Sequence, residues 1–143
     1  MTPMERRAGI RLALVAAIGV VVAIYLTATK LAGVAPICGP SGGCETVETS
    51  QYSAIAGIPV AIFGLGYSLV LIAVWLAWWR GGNHQLLYVP YVLGLIGVLV
   101  EAYLVYLELF VIHAVCLWCT AYGVTVVVGA VGAWVVAWKA QRA

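Results

Sequence analysis

The sequence predicts an all-α integral membrane protein, a four-transmembrane-helix bundle with an extracytoplasmic loop and a short surface helix between helices 1 and 2. Three observations predict it. Of the 143 residues, 65% are hydrophobic and 8% charged, against about 45–50% and about 25% in soluble domains. A water-soluble chain has nowhere to hide that much apolar surface. The apolar runs are long enough to cross hydrocarbon about 30 Å thick, which takes about 20 helical residues. The last run, Leu86 to Trp138, would be roughly 80 Å long as one helix, so it must fold back on itself.

In chain order, residues 1–143 read as one domain with spans at about 10–32, 58–79, 86–112 and 116–138 and a loop at 33–57. Glu5, Arg6, Arg7 and Arg11 precede an apolar run from Leu12 to Leu26 that continues weakly to Val34. A cleaved signal peptide fits the basic start and the small residues near Thr27-Ala28, but the run is long and the remaining chain still reads as a membrane protein. Pro36, Gly39, Pro40, Gly42 and Gly43 open the loop, which holds Cys38, Cys44, Glu45, Glu48 and Ser50 and no Lys or Arg. Glu45 to Tyr52 contains no breaker and forms the expected surface helix.

The second span enters through Pro59, tolerated in a first helical turn. Gly57, Ala61, Gly64 and Ser68 recur every three or four residues, a small-residue face that lets another helix approach. Arg80-Gly81-Gly82-Asn83-His84-Gln85 ends it. The long final run breaks best around His113 to Cys116.

The basic residues test this division. Arg6, Arg7 and Arg11 precede span one, Arg80 follows span two, and Lys139 and Arg142 follow span four. Four crossings put all of them, and both termini, on the cytoplasmic side, as the positive-inside rule asks. Lys30 falls near the outer face, where its stem can snorkel. The loop and the turn before span four then share the extracytoplasmic side, where disulfides form and persist. Trp75, Trp78, Trp79, Trp134 and Trp138 fall near the inner ends of spans two and four and read as an aromatic belt. The net charge of +2 is spread over helix ends and forms no patch for nucleic acid.

Four cysteines in two pairs, Cys38/Cys44 and Cys116/Cys119, permit three disulfide connectivities. Cys116-Leu117-Trp118-Cys119 opens the last span. Both sulfurs therefore lie in a first helical turn, where unpaired N–H groups and the positive dipole end stabilise the sulfur anion of thiol–disulfide exchange. A c-type haem site needs His after C-x-x-C, and residue 120 is Thr. A structural zinc site, and hence any metal, is disfavoured by the five-residue gap between Cys38 and Cys44 and the lack of grouped His. Static bridges staple small domains without a core, which this chain does not need. Thiol–disulfide exchange remains, one pair at a helix start and the other on a loop able to reach it.

Glu101 and Glu108 are seven apart on span three, on about the same face as Gly94 and Gly97, and should point into the bundle. They read either as a proton supply or as neutral carboxyls bonded to another helix. His113 at the turn reads as an interfacial residue.

Taken together, Cys38-x5-Cys44, Val47, Ser50 with Tyr52-Ser53, Gly57-Ile58-Pro59, Phe63-Gly64, Tyr103-Leu104 and Cys116-Leu117-Trp118-Cys119 make the chain resemble the vitamin K epoxide reductase family. The likeness is to a microbial homologue without the fused thioredoxin-like domain, over roughly residues 38–123. The resemblance implies a four-helix bundle around a quinone of ubiquinone or menaquinone type, serving a separate thioredoxin-fold partner in the extracytoplasmic space. By position, Cys38 would form the mixed disulfide with that partner and Cys44 would resolve it. Cys44 would pass electrons to Cys116, and Cys119 would face the quinone, with Ser50 close by. Val47, Ser50, Phe63, Leu104, Cys119 and Tyr122 are the quinone-binding positions the resemblance implies.

Vertebrate members have a longer gap between the loop cysteines, an Asn in span two and a Tyr four residues after C-x-x-C. Here Val60 falls near the Asn position, Tyr122 is three residues on and Gly123 four, which favours quinone over epoxide reduction. The function expected is a thiol:quinone oxidoreductase supporting disulfide formation in exported proteins. Its rivals are a non-enzymatic membrane protein with structural disulfides and a vitamin K epoxide or quinone reductase acting mainly on the quinone.

Overall fold

The computed structural model describes residues 3–33, 54–55, 58–81, 83–113 and 117–142. The expected surface helix at 45–52, together with Cys38, Cys44, Val47, Ser50 and Cys116, lies outside the described residues. Four helical segments long and apolar enough to cross a membrane make up the fold: Pro3–Ala32, Val60–Gly81, His84–Ile112 and Leu117–Arg142. The expected all-α membrane bundle is what the chain forms. The sequence did not suggest the two-residue strands β1 (Ala54–Ile55) and β2 (Ile58–Pro59), an antiparallel pair leading directly into the second helix.

Helix α1 (Pro3–Ala32) buries Gly9, Leu12, Ala16, Gly19, Val22, Ala23 and Leu26. That is one stripe at a spacing of three or four, as a helix packed on one side requires. Its other faces are as apolar as its core: Leu14, Ile18 and Val21 are 60%, 56% and 67% exposed. Large side chains turn outward and small ones inward, the arrangement a lipid-facing helix adopts because lipid tails are as apolar as leucine. The helix stops at Gly33, whose φ of +70° is the left-handed conformation glycine adopts without steric cost.

Helix α2 (Val60–Gly81) follows Pro59 and packs along α1. A 3₁₀ turn (His84–Leu87) reverses the chain, capped by Asn83, whose side chain accepts the Gln85 N–H at 3.0 Å. Helix α3 (Tyr88–Tyr106) buries Pro90, Gly94 and Gly97 and runs on as a π-helical turn, Leu107–Ile112. That turn ends at His113 (φ 59°, ψ 34°), a left-handed cap whose N–H is bonded to the Glu108 carbonyl. The chain breaks within the stretch the sequence marks. Helix α4 (Leu117–Arg142) packs against both α1 and α3.

The helix contacts order the bundle into layers. At the end carrying both termini, Leu12, Trp75, Trp78, Leu87, Ala133 and Val136 form an apolar core. There the belt expectation needs correcting for two tryptophans: Trp75 and Trp78 are 2% and 0% exposed, and their rings meet edge-on at 5.8 Å. Gly9 makes the room, since a Cβ there would lie 2.9 Å from the Trp78 ring. Trp138 faces outward, 53% exposed, with the Arg142 guanidinium 3.9 Å over its ring. Arg6 lies 5.0 Å over Trp79, and Trp134 donates to the Tyr91 carbonyl at 3.2 Å. Glu5 approaches His84 at 3.9 Å on the same rim.

Candidate functional site

The opposite end of the bundle begins with Cys119, the third residue of α4 and half-buried. Its position in the first turn places it among N–H groups that the helix leaves unpaired, at the positive end of the dipole. Trp118, between the two cysteines in sequence, stacks on Tyr25 of α1, ring centroids 4.6 Å apart at 39°. That contact ties the start of α4 to the far end of α1.

One turn further into the bundle the interior becomes polar. The Tyr122 hydroxyl donates to the Gly64 carbonyl of α2 at 2.6 Å, and Ser68 Oγ lies 3.0 Å from the same phenolic oxygen. With the Tyr122 proton given to Gly64, the Ser68 hydroxyl supplies the proton of the second bond. Ser68 is 3% exposed, and Gly19 of α1 faces it: a Cβ there would sit 2.9 Å from Ser68 Oγ and 3.2 Å from Thr125 Oγ1. Gly64 is equally constrained, since its Cβ would lie 3.1 Å from the Tyr122 ring. Two members of the small-residue face expected on span two, Gly64 and Ser68, thus receive α4 and α1 and also carry the hydrogen bonds. Tyr67, the next residue outward on α2, donates to the Leu93 carbonyl of α3 at 2.8 Å.

Glu101 enters this layer from α3 and is half-buried. Its carboxylate Oε2 lies only 2.6 Å from where a Cβ on Gly123 would stand. The carboxyl therefore occupies the space a side chain at 123 would fill, close enough to interact electrostatically with Glu108, Tyr67 and Tyr122. Glu108, in the π-helical turn, is buried at 8% exposure. Both glutamates and Gly94 and Gly97 face inward, as their spacing predicts. His113 at the corner is exposed.

Of the residues singled out from the sequence, Cys119, Tyr122, Leu104 and Phe63 are described. Cys119 and Tyr122 share one face of α4. Leu104 is half-buried on α3, and Phe63 is 50% exposed on α2. Sequence reasoning missed Tyr25, Tyr67 and the role of Ser68 as a hydrogen-bond partner. The available signal was the rarity of hydroxyl groups within apolar spans, where polar groups are costly unless they pair or act. A groove lined by Tyr91, Val131, Trp134 and Trp138 lies at the termini end, away from Cys119.

Compared with known protein families, the chain matches the family model described as the Vitamin K epoxide reductase family over residues 10–136.

Proposed function

Because the chain belongs to the vitamin K epoxide reductase family, a family of membrane oxidoreductases with quinone-linked redox chemistry, we propose that it is a thiol:quinone oxidoreductase. It takes electrons from a separate thioredoxin-fold partner through Cys38 and Cys44. It passes them to Cys116 and Cys119 and then to a lipid-borne quinone of ubiquinone or menaquinone type, so that the partner can install disulfides in exported proteins. The observation that carries this reading is Cys119 in the first turn of α4, at a bundle end whose adjoining layer is polar.

The residues present suit such a substrate. Half-buried Leu104 and outward-facing Phe63 offer apolar surface to a ring arriving from lipid. The carboxyl of Glu101 and the thiol of Cys119 are groups able to meet its oxygens. In the reaction two thiols lose two electrons and two protons and close one S–S bond, and the quinone gains both to become a hydroquinone. Val60 and Gly123, at the positions where the vertebrate pattern carries Asn and Tyr, favour the quinone over the epoxide as substrate.

The even number of crossings and the six basic residues Arg6, Arg7, Arg11, Arg80, Lys139 and Arg142 at the termini end support a cytoplasmic location for that end and an extracytoplasmic one for the cysteines. The test is purified protein in lipid nanodiscs with quinone and a reduced thioredoxin-fold protein. Stoichiometric loss of the partner's thiols with hydroquinone formation is expected. No quinone reduction, together with disulfides that resist mild thiol buffers, would leave the structural-bridge reading in its place.

A further inference from the structure

Gly123 stands four residues after Cys119, so the two positions share one face of α4, about 6 Å apart along the axis. Into that face, at 123, comes the Glu101 carboxyl from α3. Among the described residues nothing hydrogen-bonds this carboxyl, although it sits inside the span-forming part of the bundle. A structural carboxyl in such a place would pair with a donor on another helix. Tyr67 and Tyr122, the nearest donors in the layer, direct their protons elsewhere, to the carbonyls of Leu93 and Gly64. What holds Glu101 in place is a notch: glycine at 123 leaves a volume that any side chain would close.

We propose that Glu101 is the proton donor of quinone reduction, presented one helical turn below Cys119 by the notch at Gly123. This rests on the thiol:quinone reading above and adds to it a route for the protons. Sulfur supplies electrons readily, but each quinone oxygen also has to gain a proton in a region with little water. The carboxyl of Glu101 gives its proton to one quinone oxygen as the sulfurs of Cys116 and Cys119 join. The carboxylate left behind takes back a proton released from the thiols. Over the cycle two S–H bonds break, one S–S bond and two O–H bonds form, and Glu101 is unchanged. The other titratable groups facing it are Glu108 on α3, Tyr67 on α2 and Tyr122 on α4, with Cys119 at the mouth of α4. Glu108, in the π-helical turn toward the thiol end, is the neighbouring group able to exchange protons with it.

The experiment uses the full chain in nanodiscs with dithiothreitol as reductant and a short-chain benzoquinone as acceptor, and reads two steps separately. Reduction of the protein disulfides without quinone is followed by thiol counting, and hydroquinone formation by absorbance. Glu101→Gln, which keeps shape but carries no transferable acid proton, is expected to slow hydroquinone formation about 10²-fold, with disulfide reduction at the wild-type rate and a changed solvent deuterium isotope effect on the quinone step. Gly123→Ala keeps the acid but pushes it aside, and should slow the quinone step alone, by up to about 10²-fold. Gly129→Ala on the same helix, with nothing within 4 Å of its added Cβ, should leave both steps unchanged. Full-speed quinone reduction by Glu101→Gln would overturn the proposal. So would a Glu101→Gln defect shared equally by both steps, or one caused by misfolding, if Gly123→Ala runs at the wild-type rate. A wild-type protein that exchanges with dithiothreitol but reduces no quinone would sink the parent reading instead, and is recognised by the unmutated control.

Discussion

The two ends of this bundle are built on different terms. At the termini end, Leu12, Trp75, Trp78, Leu87, Ala133 and Val136 interlock with no polar group among them except the indole nitrogens. At the thiol end the same four helices meet through hydroxyls, a carboxyl and glycines: Tyr122 on Gly64 and Ser68, Tyr67 on Leu93, and Glu101 in the space over Gly123. Inside a membrane, burying apolar surface gives helices little reason to associate, because lipid is already apolar. Close packing and hydrogen bonds must hold them instead. The first end uses mostly the former. The second accepts costlier polar groups, and in a protein of redox function that is where chemistry is to be sought.

That contrast can be broken at either end. The largest effect is expected from Cys119→Ala, which should drop quinone-coupled oxidation of a dithiol to the uncatalysed level while leaving the melting temperature in detergent close to wild type. Retained turnover would remove Cys119 from the relay. Trp78→Ala should do the converse. It empties a fully buried indole site beside Gly9 and should cost about 3–5 kcal/mol in denaturant titrations, with quinone reduction per folded molecule kept.

Tyr122→Phe loses the bond to Gly64 and leaves the Ser68 hydroxyl without its partner. About 1 kcal/mol is expected, given the modest worth of hydrogen bonds between membrane helices. If it cost more than Trp78→Ala, the division of labour between the two ends would be reversed. Smallest of all is His84→Ala. The 3.9 Å approach to Glu5 involves an imidazole that is 54% exposed, and surface pairs of this kind contribute about 0–1 kcal/mol. A larger loss would mean the termini end also relies on charge.

How much of the molecule could be read beforehand depends on what each signal encodes. Hydropathy reports length and mean character, so four spans and a reversal near His113 were legible, as was the inward face of Gly94, Gly97, Glu101 and Glu108. Which face of a span an aromatic occupies is a different matter when every face is apolar. Trp75 and Trp78 share their composition and their end of the helix with Trp138, yet two are core and one faces outward. The sequence shows that Gly123 departs from the vertebrate pattern, but the reason lies on another helix, 22 residues earlier in the chain, where Glu101 fills the gap. Tyr67 and Ser68 were visible as hydroxyls in an apolar span, but their partners are backbone carbonyls and a phenol on other helices, which no local pattern announces. For Cys38, Cys44, Val47, Ser50 and Cys116 the reading stays with the sequence and its resemblance, since these lie outside the described residues.

The π-helical turn at Leu107–Ile112 carries a consequence for how this corner tolerates change in length. A π turn accommodates one residue more than an α turn over the same rise. Deleting a single residue there would let the segment wind down to ordinary α geometry, and everything after the deletion would be rotated by roughly 100° about the helix axis. The corner at His113 would then face another direction, and α4 would leave it out of phase with its neighbours. Substitutions along this turn are therefore matters of fit, whereas a change of one in its length would re-aim a quarter of the bundle.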